Sequence, residues 1–185
     1  MKKTVLTFGL LSGAILALMM VVTMPFMDKI GFDKAEIIGY TTMVLSFLMV
    51  YVGIRSYRDN VGGGSITFAR AAGVGLLITL VSCTCYVVTW EILYFNLPSM
   101  HQFMEKYAAY VAEQARASGA SQEAIQVQLR EIGKYKALYE NPLFNVAVTF
   151  SEPLPVGLVI SLISAAILKK GNPDSLPETQ TSGNV

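Results

Sequence analysis

The chain has 185 residues, of which 53% are hydrophobic and 15% charged, and its formal net charge at pH 7 is +1. This composition is too apolar for an ordinary soluble domain, and no basic face or arm points to a nucleic-acid partner. Four long apolar runs account for this composition. Each is long enough to cross the bilayer core, which takes about 20 helical residues.

The first apolar run, residues 4–24, follows Lys2 and Lys3. A secretory signal peptide would have an apolar region of about 7–15 residues and a small-residue cleavage site. This run is longer, and the residues at its end, Met24-Pro25-Phe26, do not form such a cleavage site. We therefore expect an uncleaved first membrane helix.

The second run, residues 35–54, is preceded by a pattern typical of a helix start. Asp33 is placed to cap the helix while Glu36 reaches back to the cap. Phe32 and Ile37 then have the spacing of a hydrophobic staple.

The third run, residues 68–95, follows the sequence Gly62-Gly63-Gly64-Ser65. Three glycines in a row predict a flexible turn. Either Ser65 or Thr67 is placed to cap the helix that begins after it.

The segment 96–142, between the third and fourth runs, predicts a helical hairpin. Apolar residues recur at helical spacing on both sides of a break at residues 118–121, where Ser121 is a good cap. They are Phe103, Tyr107, Tyr110, Val111 and Ala115 before the break, and Ile125, Leu129, Ile132 and Tyr139 after it. These stripes could pack on each other, lie on the lipid surface or meet a partner.

The fourth run, residues 143–168, is interrupted by Pro153 and Pro155, which remove backbone donors and predict a bent or broken helix. The tail, residues 171–185, is rich in Pro, Ser, Thr and Asn and is expected to be disordered. We treat residues 1–170 as one membrane domain.

Basic residues near span ends predict the orientation, because cytoplasmic loops carry an excess of Lys and Arg. Seven of them would share one side of the membrane: Lys2, Lys3, Arg55, Arg58, Arg70, Lys169 and Lys170. The segment 96–142 also holds basic residues, but most lie far from a membrane edge. Both termini are therefore expected in the cytoplasm and this segment outside.

Small residues recur every four positions in three of the runs, a spacing that lets helix backbones approach closely in lipid. The stripes contain Gly9 and Gly13 in the first run, Ala71 and Gly75 in the third, and Gly157 and Ser161 in the fourth. Packing within the monomer is the expected use, and homodimerisation through the first span is the alternative.

Two acids lie inside apolar runs, where a charged carboxylate costs about 2.5–3.5 kcal/mol at the bilayer centre. By helical rise, Glu91 lies about 31 Å beyond Arg70, and Glu152 about 24 Å from the cytoplasmic edge. One hypothesis joins them, with Thr84 and the free carbonyls near Pro155, in a polar site for a proton, a cation or an amine.

The alternative to this site places Glu91 at the headgroups beside an aromatic belt of Trp90 and Tyr94. Glu152 would then be protonated or hydrogen-bonded to a neighbour.

No pattern in the chain predicts catalysis. His101 and Glu105 make a poor metal site, so no metal or cofactor is predicted. There is no recognisable nucleophile–base set, nucleotide loop or dinucleotide fingerprint.

The loop and the third span resemble a known family. The residues that carry the resemblance are Tyr57-Arg58-Asp59-Asn60, Gly63-Gly64-Ser65-Ile66-Thr67-Phe68-Ala69-Arg70-Ala71 and Tyr86-Val87-Val88-Thr89-Trp90-Glu91-Ile92-Leu93-Tyr94. They are similar to domain of unknown function family 4199, bacterial membrane proteins without an assigned activity. The resemblance implies a four-helix protein of the bacterial inner membrane and supplies no catalytic residues. The resemblance also implies structural or binding roles for six residues: Thr67, Phe68, Arg70, Tyr86, Trp90 and Tyr94.

The sequence thus predicts an all-α integral membrane bundle of four transmembrane helices, with an extracytoplasmic helical hairpin between the third and the fourth. The expected function is non-enzymatic, through association with another membrane protein or with itself. The alternative is a small transporter or channel component that uses Glu91 and Glu152.

Overall fold

The computed structural model describes residues 1–97 and 102–171, without the side chain of Asp28. In these ranges the chain is helical, as predicted, apart from turns and one isolated bridge. The α-helices are α1 (Lys2–Thr23), α2 (Met27–Ile30), α3 (Phe32–Asn60), α4 (Phe68–Asn96), α5 (Phe103–Ala117), α6 (Gln122–Tyr139), α7 (Pro142–Ser151) and α8 (Pro153–Leu168), with a 3-10 turn at Met24–Phe26.

Four helical segments are long and apolar enough to cross a membrane, which confirms the predicted number of spans. They are α1 with the turn that follows it, α3, α4, and α7 with α8. Because a helix rises about 1.5 Å per residue, the 29 residues of α3 extend about 43 Å, more than the ~30 Å of a bilayer core. α3 is therefore longer than one perpendicular crossing of such a layer requires.

The four spans pack around a central pair. α3 and α4 contact each other, and α1 and α8 each pack on both of them. We call the end with the 60–68 loop, Lys2 and Lys170 the basic end, and the end that carries α5 and α6 the hairpin end.

The buried core lies toward the basic end. Phe47, Val50 and Ile54 of α3 and Ile78 of α4 are completely buried there. In α3, no residue before Thr42 is buried. The first ten residues of α3 therefore leave the bundle core at the hairpin end.

Small residues bring the spans into close contact. A Cβ atom on Gly9 would lie 2.7 Å from Cβ of Val81, and one on Gly13 would lie 2.5 Å from Cβ of Cys85. One on Gly75 would lie 3.0 Å from Ser161, and one on Gly157 would lie 3.0 Å from Phe47. All four glycines thus lie at contacts inside the monomer.

Buried hydroxyl groups join the same helices. Ser46 of α3 donates to the carbonyl oxygen of Ser12 in α1 at 2.6 Å. Ser82 of α4 donates to the carbonyl oxygen of Gly9 at 3.1 Å. Between α4 and α8, the hydroxyls of Thr79 and Ser161 lie 3.1 Å apart. Where lipid offers no hydrogen-bond partner, such contacts satisfy the hydroxyls and align the helices.

At the basic end, the loop before α4 forms the predicted turn, with positive φ at Gly63 and Gly64. Thr67 caps α4 by accepting from the amide of Arg70 at 3.3 Å, so the second of the two proposed caps is used. Ile66 and Lys170 exchange two backbone hydrogen bonds of 3.0 Å in an antiparallel bridge. This bridge ties the end of α8 to the start of α4.

The predicted cap of the second span is wrong. α3 begins at Phe32 after Gly31, without a side-chain cap. Asp33 instead accepts a hydrogen bond from Tyr110 of α5, and Ile37 is 67% exposed rather than stapled to Phe32. Asp33 satisfies a donor on another helix, which the local pattern cannot indicate.

The segment between the spans contains two helices that pack on each other. Ala112 and Ala115 of α5 and Ile125 of α6 form a small buried cluster, with Ser121 as the cap of α6. Residues 98–101, which include His101, lie outside the described residues, as do positions 172–185 of the tail. Glu105, the predicted neighbour of His101, forms an exposed ion pair with Lys136 at 2.8 Å.

Replacing Gly9 by Leu should destabilise the bundle, because the new side chain would collide with Val81. Overpacking of this kind costs about 1–3 kcal/mol. Gly73→Leu is the matched control, since a Cβ on Gly73 meets nothing within 4 Å. Thermal unfolding in detergent should show a lower midpoint for Gly9→Leu only, and equal midpoints would contradict this contact.

Candidate functional site

A cavity of about 360 Å³ opens at the hairpin end. Its walls come from the end of α1, the first third of α3, Tyr86 of α4 and the junction of α7 with α8, while α5 covers it with Phe103 and Tyr107. The cavity occupies the space left where α3 diverges from the core. Its size is near the lower limit of small-molecule sites, about 300–1,000 Å³.

Methionines supply much of the apolar wall. Met19 and Met20 come from α1, Met24 from the turn after it, Met27 from α2 and Met43 from α3. Unbranched thioether side chains adapt to irregular shapes more readily than branched ones. This wall can therefore adjust to ligands of different shape.

Glu152 provides a carboxylate at this cavity. It occupies the single position between α7 and α8, because Pro153 lacks an amide hydrogen and suits the first position of a new helix. Tyr86 Oη donates a hydrogen bond to Oε2 of Glu152 at 3.0 Å. Glu152 is exposed and lines the cavity, so the carboxylate is accessible from it.

A second acid, Glu36, lies on the α3 wall one turn before Tyr40. Both side chains are exposed, and residues four apart share one helix face. Among the described residues that line the cavity, none is Lys, Arg or His. The charged groups described in the wall are therefore all negative.

Aromatic rings dock α5 on the start of α3 and close the cavity at this end. The ring of Phe32 lies 5.8 Å from Phe103 and 5.7 Å from Tyr107, centroid to centroid and edge to face, and 5.1 Å from Tyr110. Such pairs contribute about 0.5–1.5 kcal/mol each beyond the area that they bury.

A polar contact supports the same docking, where Tyr110 Oη donates to Asp33 Oδ1. Loss of the phenolic proton would place two negative charges together, so the carboxylate raises the pKa of Tyr110. The stabilising effect is complete at neutral pH, below the unfolded pKa of about 10. It is lost as the pH rises through the higher folded pKa.

A buried polar network holds α7 against α4. Trp90 Nε1 donates to Asn145 Oδ1 at 2.9 Å, and Thr149 donates to the same oxygen at 3.1 Å. The amide of Asn145 donates to the carbonyl of Tyr139 at 3.3 Å. Trp90 also contacts Phe103 of the cavity cover at 5.7 Å between ring centroids. The network thereby reaches the cavity.

The structure separates the residues of the proposed two-acid site. No hydrogen bond within the described ranges joins Glu91 to Glu152. One carboxylate oxygen of Glu91 is buried without a hydrogen-bond partner in those ranges. Thr84 donates to its own helix at Leu80, and Pro155 is exposed outside the cavity wall. Only Glu152 of this set lies at the cavity.

The separation follows from helical geometry. Glu91 comes five residues after Tyr86, the partner of Glu152. Five residues correspond to about 7.5 Å along the axis and about 140° around it. Glu91 therefore lies closer to the hairpin end and on another face of α4.

Trp90 and Tyr94, the aromatic belt of the alternative interpretation, are each only 6% exposed and therefore face neighbouring helices. They stack on each other, with ring centroids 5.8 Å apart, and both contact Tyr139. The other part of that alternative, a hydrogen bond between Glu152 and a neighbour, is confirmed. Phe68, another of the residues that carry the family resemblance, lies at the other end of α4 and is 43% exposed.

The sequence analysis assigned no role to Tyr40 or Asn145, and it placed Glu36 in a helix cap rather than at a cavity. Glu36 and Tyr40 are separated by one helical turn with Gly39 between them, and Asn145 and Thr149 have the same spacing in an apolar run. Paired polar positions on one helix face were the available signal. Within the described residues, no group of three or more His, Cys, Asp or Glu side chains could hold a metal ion.

The fold and the site define a class, a helical bundle with four membrane-length spans and an acidic cavity under a helical hairpin. The chain belongs to the family described as Protein of unknown function (DUF4199), whose model matches residues 7–170. The resemblance carried by the loop and the third span is thereby confirmed. Comparison with curated proteins and with solved structures found no match.

Replacing Asn145 by Leu should lower the free energy of unfolding by about 1–3 kcal/mol, because the buried Trp90 N–H would lose its acceptor. Trp90 is the only tryptophan, so its fluorescence reports this site directly. Asn96→Leu is the control, since Asn96 is exposed and bonds only its own helix. Similar unfolding curves for the two variants would argue against the network.

Proposed function

We propose that the protein is a non-enzymatic integral membrane protein that acts by binding a small amphipathic molecule in the cavity under the hairpin. One observation carries this proposal: an accessible carboxylate, Glu152, lies in an otherwise largely apolar cavity of ligand size. Concave, mostly apolar sites with few polar groups are the usual form of small-molecule sites.

The proposed location is the bacterial inner membrane, as the family resemblance implies, with both termini in the cytoplasm and the hairpin outside. The order of the helices supports this orientation. Lys2, Arg58, Arg70 and Lys169 all belong to the basic end, and excess Lys and Arg near span ends favours the cytoplasmic side.

Cysteines introduced one at a time can test this orientation in spheroplasts with a membrane-impermeant maleimide, because the native Cys83 and Cys85 lie within α4. Ser118→Cys lies in the turn between α5 and α6, and Val61→Cys lies in the 60–68 loop; both positions are exposed. We expect Ser118→Cys to react on intact spheroplasts and Val61→Cys only after permeabilisation, with the wild type as the blank. The reverse pattern would overturn the orientation.

Association with a second copy or another membrane protein has less support. The small-residue stripes that would suit a helix interface are occupied by contacts inside the monomer. The hairpin also uses its apolar stripes internally, in the α5–α6 cluster and in the rings around Phe32. The surface of α6 exposes single large apolar residues, such as Val127 and Leu138.

Transport is the second candidate function, favoured by the helix break at Glu152. Membrane transporters often place their substrate at discontinuous helices, near the middle of the bilayer. A transport path here would use Glu152 with Tyr86, rather than Glu152 with Glu91. Proteoliposomes that show steady, protein-dependent solute flux would favour this candidate over simple binding.

Filling the cavity should abolish binding. A Cβ on Gly39 meets nothing within 4 Å and Gly39 lines the cavity, so Gly39→Phe should occupy it without a backbone clash. A neutral diazirine-labelled alkyl alcohol should form adducts at Glu152 in the wild type and in the control Gly73→Phe. In Gly39→Phe these adducts should disappear.

Adducts at lipid-facing Leu48 provide the internal standard, since they should be equal in all three proteins. Mass spectrometry of the peptides reads both positions. Labelling of Glu152 that survives in Gly39→Phe would remove the cavity from the proposal.

A further inference from the structure

We infer that the cavity selects a small alkylammonium ion, a molecule with one protonated amine and a short unbranched hydrocarbon chain. This inference rests on the proposed binding function and names the chemistry of its ligand. It follows from the charge, the hydrogen-bonding capacity and the shape of the wall.

The charge of the described wall is unbalanced. Glu152 and Glu36 are both acidic, and no described lining residue carries a positive charge. A carboxylate at membrane depth is costly unless it is paired. A ligand cation would supply that pairing, whereas an anion would be repelled.

The same imbalance disfavours a zwitterionic phospholipid headgroup. Its phosphate would enter the cavity together with its amine, and the described wall offers no Lys, Arg or His to receive a phosphate. The volume of about 360 Å³ also suits a small molecule. A free amine is therefore the preferred occupant.

The hydrogen-bonding capacity of the wall fits a donor-only headgroup. Tyr86 already gives its proton to Oε2 of Glu152, which leaves the tyrosine oxygen free to accept. The other carboxylate oxygen, Oε1, has no hydrogen-bond partner among the described residues. An ammonium group has three donors and no acceptor, so it can serve both oxygens at once.

The apolar part of the wall fits a flexible chain. Met20 and Met24 come from one side and Met43 from the other, with the rings of Phe103 and Tyr107 above. Thioether chains pack around unbranched hydrocarbon without fixed shape demands, and aromatic faces attract cations. The wall therefore accommodates both parts of the ligand.

The test compares three ligands of equal chain length, namely hexylamine, 1-hexanol and hexanoate, on protein in phosphatidylcholine nanodiscs at neutral pH. Trp90 fluorescence reports binding, because its ring contacts Phe103 of the cavity cover. The wild type should bind hexylamine at least ten-fold more tightly than hexanol, and hexanoate most weakly.

Glu152→Gln should remove most of the preference for hexylamine over hexanol and leave hexanol unchanged, because an amide oxygen still accepts from Tyr86. Glu36→Gln should weaken hexylamine by a smaller factor. Gly39→Phe should abolish binding of the amine and the alcohol alike, while Gly73→Phe should bind both.

The outcomes separate this inference from the proposed function. Equal wild-type affinities for amine and alcohol, both lost in Gly39→Phe, overturn the charge selection and leave the binding function standing. Signals that Gly39→Phe does not change overturn both. The ligand order in the wild type decides the inference even when Glu152→Gln does not fold.

Discussion

A bilayer provides no hydrophobic force between helices, so the spans of this protein are held together by close packing and satisfied polar groups. At the basic end, glycines bring backbones near neighbouring side chains, and serine and threonine hydroxyls bond across the helices. This half of the bundle is closely packed. The arrangement of the hairpin end depends on this packed half, because the packing ends at Thr42 and the earlier residues of α3 lie outside the core.

The hairpin end is held by different means. No residue of α3 before Thr42 is buried, and the gap that results is bounded by aromatic rings and hydrogen bonds. Phe32 meets α5, while Asn145 joins α7 to Trp90. These contacts lie around the opening, so the cavity is framed by directional contacts that maintain its shape.

Much of the fold could be predicted from the sequence, because it depends on local properties. The length of the apolar runs gave the four spans, Pro153 gave the break before α8, and Thr67 and Ser121 capped their helices. The motif around Tyr57 and Tyr94 led to the family that the chain belongs to. Each of these signals lies within a few residues of its consequence.

The site could be predicted only in part, since it depends on contacts between distant segments. Glu152 was recognised as a candidate site residue because a carboxylate in an apolar run is energetically costly, but its partner is Tyr86 rather than Glu91. Asp33 had the pattern of a helix cap and instead bonds Tyr110, 77 positions away. The cavity itself arises from the divergence of α3, which no spacing in α3 reveals.

The bridge between Ile66 and Lys170 has a mechanical consequence. It couples Lys170, two residues after the end of α8, to the residue before the Thr67 cap through two backbone hydrogen bonds. A load applied at Lys170 is therefore shared between α8, through the backbone, and the start of α4, through these hydrogen bonds. Since α4 also carries Tyr86, traction at Lys170 would act on the same helix that presents this phenol to the carboxylate of Glu152.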